Sequence, residues 1–403
     1  MLTAIAWRNI WRNKRRSAIM IAAITLGLWG GLFAVGIFSG MYDTMVSSSI
    51  DRNLTHIQIH VKGFRDEQLI SMSLPHPEIL CDSIRSLPGV QAVSPRTIIE
   101  GMASSPSSAQ GVKIVGIGRE EERQATAIGR RLVGGRFFEG DERSPIVIGR
   151  KLAEKLSLKL RGKIVLSFQR PDGSIVYGAF RIAGVFDTES TNFDGGTVFV
   201  LHNDLDELTG QHLIHEVAVR LTTNDSLNPV ANRLAVLFPE YQIETWKDLA
   251  PELKLAESAD VSMAIFLGII LLALLFGITN TMLMSVLDRV REFGVLMAVG
   301  MRRRRVFAMI VLETLFLSIT GSIAGILLGL TTVFWFGHTG ISLAWFSDGL
   351  SLWGISSMLY PAVHSSMYIT LGVMVIVAAC AAAMYPATKA IRLNPASAIA
   401  TFG

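Results

Sequence analysis

The chain has 403 residues, a formal net charge of +4 and a hydrophobic fraction of 50%, with a mean hydropathy of +0.43. Its 37 Lys and Arg exceed its 33 Asp and Glu by only a small margin, and the surplus lies in short runs beside apolar stretches. That placement argues against nucleic-acid binding and for an integral membrane protein carrying a soluble domain. Cysteine occurs only at Cys81 and Cys380, so a disulfide framework is excluded.

Residues 1–16 form an amphipathic, basic N-terminus with Arg8, Arg12, Lys14, Arg15 and Arg16. Ser17–Gly40 follows as 24 residues without a charge, long enough to cross a bilayer, for which about 20 residues suffice. It exceeds the roughly 7–15 residues of a signal-peptide core, and no A-x-A-like cleavage site follows at Phe38–Tyr42. An uncleaved anchor is expected.

Residues 41–260 change from continuous apolar to alternating pattern. Thr55–Val61, a helix over Pro77–Ser86 and a strand over Val90–Pro95 make one β-α-β unit. Glu216–Leu221, a helix over Asn228–Leu237 and Tyr241–Thr245 make a second. Together 41–105 and 212–260 read as a split α+β subdomain. Between them, 106–211 reads as a mostly β insert with strands at Lys113–Ile117, Pro145–Gly149, Lys163–Gln169, Val176–Val185 and Thr197–Leu201. Turn signals at Pro171-Asp172-Gly173 and Asp194-Gly195-Gly196 separate them.

Three more apolar stretches follow, at 261–287, 306–337 and 366–388, of which only the middle one carries a charge, Glu313. Lys and Arg near span ends stay cytoplasmic. The basic residues cluster before the first span, at Arg289, Arg291 and Arg302 to Arg305, and at Lys389 and Arg392. The 338–365 loop has none. Four spans return the chain to its starting side, so parity and charge agree. The expected fold is an α-helical membrane domain of one plus three helices with a two-subdomain α+β domain outside. Residues 288–305 and 389–403 are then cytoplasmic. The aromatics Trp345, Phe346, Trp353 and Tyr360 suggest that the Ile341–Tyr360 segment lies flat at the membrane interface.

Catalytic motifs are missing: there is no G-x-x-x-x-G-K-[ST], no H-E-x-x-H and no C-x-x-C. His212, His215 and Glu216 open a strand, where their side chains diverge, and read as structural; no metal or cofactor is expected in this chain. Within the spans, Asn280 and Glu313 are polar groups in hydrocarbon, which usually face a partner or cavity; Glu313 is shallow enough to reach the basic end. Small residues at four-residue spacing, Gly27 and Gly31 in the first span and Gly321, Gly325 and Gly329 in the third, allow close helix approach within the chain or to another subunit. In 288–305, Phe293, Leu296 and Val299 share one face opposite Arg289, Arg291 and Glu292, and Gly300 stops the helix. An interfacial helix and a docking element for a cytoplasmic partner both fit that pattern.

The run T-N-T-M-L-M-S-V-L-D-R-V-R-E-F-G-V-L-M-A-V-G-M (279–301) resembles the signature of the FtsX/MacB/LolC-LolE permease superfamily. A-W-R-N-I-W-R-N-K-R-R-S (6–17) and Y-P-A-T-K-A-I-R-L-N-P-A-S-A-I (385–399) resemble its other membrane-proximal patterns. The resemblance covers nearly the whole chain. It implies a permease subunit of a mechanotransmitting ABC transporter in a bacterial inner membrane, with a MacB-like core outside. ATP and Mg would be bound by a separate cytoplasmic ATPase dimer, and a second permease chain, the same or different, would complete the assembly. It also implies that Arg291, Glu292, Phe293, Gly294, Met297 and Gly300 form the coupling helix that docks on the ATPase. The stretch from Arg181 to Leu208 looks most like the LolC/LolE branch, which implies lipoprotein cargo and a periplasmic carrier. A MacB-like exporter of drugs or peptides and an FtsX-like regulator of cell-wall hydrolases are the alternatives.

Overall fold

In a computed structural model, residues 2–12, 14–139, 143–250, 259–352 and 356–392 are described. They form two units. One comprises the N-terminal stretch to Met41 with 258–341 and the segment from Leu359; the other comprises 42–257 and 342–358.

The chain opens with α1 (Leu2–Arg12) and α2 (Lys14–Ser49). At 36 residues α2 is about 54 Å long, well beyond the ~30 Å hydrocarbon core. Between them Ser17 Oγ donates to the Ile10 carbonyl at 2.6 Å.

In the outer unit, β1 (Ile57–Val61), α3 (Pro77–Arg85) and β2 (Val90–Ser104) come first. Pro77 fits the first helical turn, where its missing N–H costs nothing. Leu80, Cys81 and Ile84 turn inward at helical spacing. Then follow β3 (Ala109–Ile117), α4 (Arg119–Ala125), β4 (Leu132–Gly135), β5 (Pro145–Gly149), α5 (Arg150–Lys155), β6 (Lys163–Gln169) and β7 (Ile175–Phe186). The region closes with α6 (Thr191–Gly196), β8 (Thr197–Leu201), α7 (His202–Thr209), β9 (Glu216–Leu221), α8 (Leu227–Leu237) and β10 (Tyr241–Thr245).

The two β-α-β units interleave in the order β10-β1-β9-β2. Ile57, Ile59, Val217 and Val219 pack there with Leu80, Ile84 and Leu234. The strand β2 is longer than its apolar start suggests. Its first half pairs with β9 and its far end with β6, while β3 follows it from Arg96 to Ser104. The insert is thereby a closed circuit β2-β3-β8-β5-β7-β6, filled by Ile114, Ile146, Ile148, Leu166, Phe180, Ile182 and Val198. Because β2 belongs to both parts, the α+β portion and the insert share one sheet, and 105/106 falls just past the end of that shared strand.

The polar face of β1 is covered rather than solvated: Gln58 is 5% and His60 2% exposed. Behind it lies a buried ionic cluster. The Arg96 guanidinium, fully buried, donates to Glu122 at 2.8 and 2.9 Å, to Glu216 at 2.7 Å and to the Asn53 carbonyl at 2.7 Å. Ser94 and Thr126 hydroxyls complete Glu122. The His60 ring sits between Glu216 (3.4 Å) and Glu244 (3.7 Å). Burial would raise the Glu216 carboxyl, but the Arg96 charge and the His60 contact hold it down to about 2. Burial, with Arg220 adding to it, lowers His56 to about 4, and its Nδ1 accepts from the Leu221 N–H.

Both groups predict acid lability. His56 bound neutral contributes stability that is complete above its ordinary 6.5 and is lost as pH falls toward 4. Glu216 contributes above its ordinary 4.5 and loses it toward pH 2. The urea midpoint of the outer unit, read by Trp246 fluorescence with the other tryptophans replaced by Phe, should fall in two steps. The upper step, on the order of 2–3 kcal/mol, should vanish in His56→Gln; a single step below pH 4.5 in both proteins would contradict the assignment.

The membrane unit continues with α9 (Ala259–Asp288), α10 (Val290–Ala298) and α11 (Arg303–Thr339) and ends with α13 (Ser365–Arg392), while α12 (Ser347–Leu352) belongs to the outer unit. Among the described residues four helices are long and apolar enough to cross a membrane, one N-terminal and three C-terminal. Pro386 lies inside α13 and cannot donate to the Ala382 carbonyl four residues back; Thr279 Oγ1 of α9 donates to that carbonyl instead, at 3.4 Å. The 342–358 segment is tied into the outer unit: Ser351 Oγ lies 3.0 Å from Thr191 Oγ1, and the Ser357 N–H donates to Glu189 at 3.1 Å. Residues 342–358 thus belong to the same unit as 42–257. Trp345 is 96% exposed, and Trp353 lies outside the described residues. Cys81 and Cys380 are free thiols.

Candidate functional site

The basic segment between the second and third spans folds as α10, whose ends are set locally. Arg289 breaks from α9 with φ −108° and ψ 13°. At the other end Gly300 adopts φ +100°, a value that favours glycine. The Gly300 N–H then donates to the Met297 carbonyl at 3.1 Å and the Met301 N–H to that of Leu296 at 3.0 Å. This paired closure satisfies two carbonyls that a helix end would otherwise leave open.

Of the candidate residues, Phe293 and Gly294 are buried, Met297 is half-buried, and Arg291, Glu292 and Gly300 are exposed. Phe293 is 1% exposed and packs with Val306, Met309 and Ile310. Val299, expected on the inward face, is 84% exposed: its N–H still bonds the Val295 carbonyl at 3.0 Å, and four-residue spacing puts it on the side of Arg291 and Val295. Val295 at 48% and Arg291 share the outward side with it.

A chain of four alternating charges surrounds α10. Arg12 of α1 pairs with Glu292. Glu292 also accepts from Arg289 Nε at 3.1 Å. Arg289 Nη1 reaches both oxygens of Glu313 in α11, at 2.9 and 3.2 Å. Its guanidinium lies 5.1 Å from the centre of the Phe293 ring. Nearby, Arg16 pairs with Asp288. Burial would raise the Glu292 carboxyl, but the bonds and charges of Arg289 and Arg12 hold it below the usual range. Glu313, 7% exposed, therefore has its partner within the unit. Arg12 and Arg16 were legible only as basic residues; their carboxylate partners lie more than 270 positions away.

The glycines meet neighbouring helices of the same unit. A Cβ at Gly321 would fall 2.9 Å from Ile24 Cβ, one at Gly325 3.0 Å from Leu28 Cβ, and one at Gly329 2.7 Å from Leu32 Cδ1. The Thr25 hydroxyl donates to the Gly321 carbonyl at 3.1 Å. Gly27 faces Leu274 of α9 at 2.6 Å and Gly31 faces Leu267 at 3.7 Å. Asn280 is exposed on α9.

Elsewhere, His212 Nδ1 lies 2.7 Å from Asp206. The His215 Nδ1 accepts from the Ile98 N–H, and its Nε2 lies 2.9 Å from the Ile70 carbonyl. The two rings serve different neighbours. Among the described residues no group of three or more His, Cys, Asp or Glu is arranged to hold a metal ion.

The profile of the MacB-like periplasmic core domain matches residues 17–237, and that of the FtsX-like permease C-terminal region matches 264–395. The chain is similar to the macrolide export ATP-binding/permease protein MacB of Campylobacter jejuni subsp. jejuni serotype O:2, at 24% identity over 98% of this chain and 60% of that protein. It is also similar to the MacB of Hyphomonas neptunium, at 24% identity over 84% of this chain and 54% of that protein. It thus spans about 60% or less of the length of these relatives. The solved periplasmic region of MacB from Actinobacillus actinomycetemcomitans aligns with a TM-score of 0.37 and 15% identity, over 52% of this chain and 97% of that one.

Proposed function

Because the chain belongs to the family of FtsX-like permeases with a MacB-like periplasmic core domain, we propose that it is the permease subunit of an ATP-driven complex in a bacterial inner membrane, with α10 docking on a cytoplasmic ATPase. The observation that carries this reading is the built geometry of α10. It is a short helix bounded by the break at Arg289 and the closure at Gly300 and clamped to α1 and α11, with Arg291, Val295 and Val299 facing outward. In this reading ATP and Mg are held by the partner ATPase dimer, a second permease chain completes the assembly, and the membrane helices pass the motion outward. Gly294 is buried, so a bulky residue there would disturb the fold as well as docking. Val299→Asp is the cleaner probe. Copurified ATPase should fall at least tenfold, with the outer unit unchanged in its urea midpoint. Undiminished copurification would sink the docking assignment.

Sidedness follows from the same reading. A cysteine at exposed Ser107 should react with an impermeant maleimide added to intact spheroplasts, whereas one at Met301 should react only after permeabilisation. The reverse pattern would invert the topology.

For cargo we favour an amphiphilic, lipid-anchored molecule, as in lipoprotein release to a periplasmic carrier. Several polar groups inside the bundle are used internally: Thr25 on Gly321, Trp29 Nε1 on Thr332 at 3.0 Å, Glu313 on Arg289. A hydrophilic solute would find few groups to replace its water, whereas acyl chains need none. The relatives named for macrolide export support a second reading, an exporter of drugs or peptides. A photo-crosslinker at Ile37 or Met263 should capture lipoprotein without ATP. Capture of none, together with ATP-dependent export of a macrolide, would decide for the second.

A further inference from the structure

We propose that Arg289 is a positioning residue for force transfer: it makes α11, as well as α9, respond to a displacement of α10. The inference rests on the ATPase-coupled reading and adds to it the route by which motion leaves the helix.

By covalent connection alone, α10 would drive its two neighbours unequally. Its start joins α9 directly through Arg289, while its end joins α11 through Gly300 at φ +100° and the non-helical Met301 and Arg302. A glycine in that conformation resists bending poorly, so a push on α10 through this joint would be absorbed. The side-chain connection bypasses it. Glu313 lies ten residues into α11 from Arg303, about 15 Å along the axis. Arg289 Nη1 donates to both of its oxygens, so the tie is a charge-assisted one. Through Nε the same guanidinium holds Glu292 in the first turn of α10, and Glu292 is held from the far side by Arg12. One planar group therefore bonds the driven helix and the third span at once. A lysine, a single point of charge, cannot reproduce that fork.

A tie of this kind differs from a merely structural contact. A buried ion pair can be exchanged for an apolar pair of similar size without loss of stability, but an apolar pair lacks the directed hydrogen bonds to both carboxylates. The test therefore uses Arg289→Met, Arg289→Lys and the double variant Arg289→Met/Glu313→Leu. Each full chain is reconstituted with the ATPase that copurifies with the wild type. Three quantities are read: ATPase copurification, urea midpoint, and the ATP-dependent change in spin-label distance between Ile323, an exposed position in α11, and its equivalent in a second copy. The wild type should show an ATP-dependent distance change. Both the double variant and Arg289→Lys should keep ATPase binding within about twofold while losing most of that change. Arg289→Met should lose it too, with a lowered midpoint. A folded double variant that binds ATPase and moves like the wild type would overturn the proposal and leave the docking assignment standing. Failure of the wild type to retain any ATPase would remove the reading on which both rest.

Discussion

Replacing Arg96 with methionine is expected to unfold the outer unit at temperatures where the parent is stable. The substitution strands Glu122, fully buried, and Glu216, 5% exposed, without their cation. Breaking a buried ion pair by removing one partner costs roughly 3–5 kcal/mol, a large part of the stability of an ordinary domain. Removing all the charges together should be far milder, so Arg96→Met with Glu122→Gln and Glu216→Gln should recover part of the loss. Thermal unfolding followed through Trp246 measures both. A change below about 1 kcal/mol for the single variant would mean that water reaches the cluster.

Gly325→Leu is expected to separate the first span from the third. The new Cβ alone would lie 3.0 Å from Leu28 Cβ and from the Thr25 carbonyl oxygen, and a backbone atom cannot move aside as a side-chain tip can. Overpacking of a tight interface costs about 1–3 kcal/mol, and here the seam of three glycines would open with it. Proximity can be read directly. With Cys81 and Cys380 replaced by alanine, Ile24→Cys and Gly321→Cys should form a disulfide under mild oxidation, because their Cβ positions lie 2.9 Å apart before relaxation. Adding Gly325→Leu should abolish the bond. Persistent cross-linking would place the glycines elsewhere.

The parts of the molecule dictated by solvent were legible in the sequence. The four spans, their one-plus-three grouping and the short helix at 290–298 all follow from continuous apolar runs, flanking arginines and a terminating glycine. The β-α-β units were legible because each buries one alternating face. The ionic cluster was not. Arg119–Ala125 reads R-E-E-E-R-Q-A, which looks solvated from end to end, and nothing local distinguishes Glu122 from Glu120 or Glu121. Its partner Arg96 sits on a strand 26 positions earlier, so only the tertiary fold selects it. The strand Leu132–Gly135 ends in two glycines and offers too little pattern to be seen. In the segment between the second and third spans, composition announced Arg289 and Glu313 as charges near a membrane surface, but their pairing across 24 positions is set by the tertiary fold.

The seam between α2 and α11 also limits how these two helices can move. Gly321, Gly325 and Gly329 recur once per turn against Ile24, Leu28 and Leu32, so the surfaces mesh like two toothed racks. A slide of an ångström or two would lift every tooth onto a ridge at once. The next fit comes only after a whole turn, about 5.4 Å. Small forces therefore leave the pair locked, and larger ones carry it as a single piece or advance it by one full notch, a discrete step of the kind seen where packed helices switch between two registers.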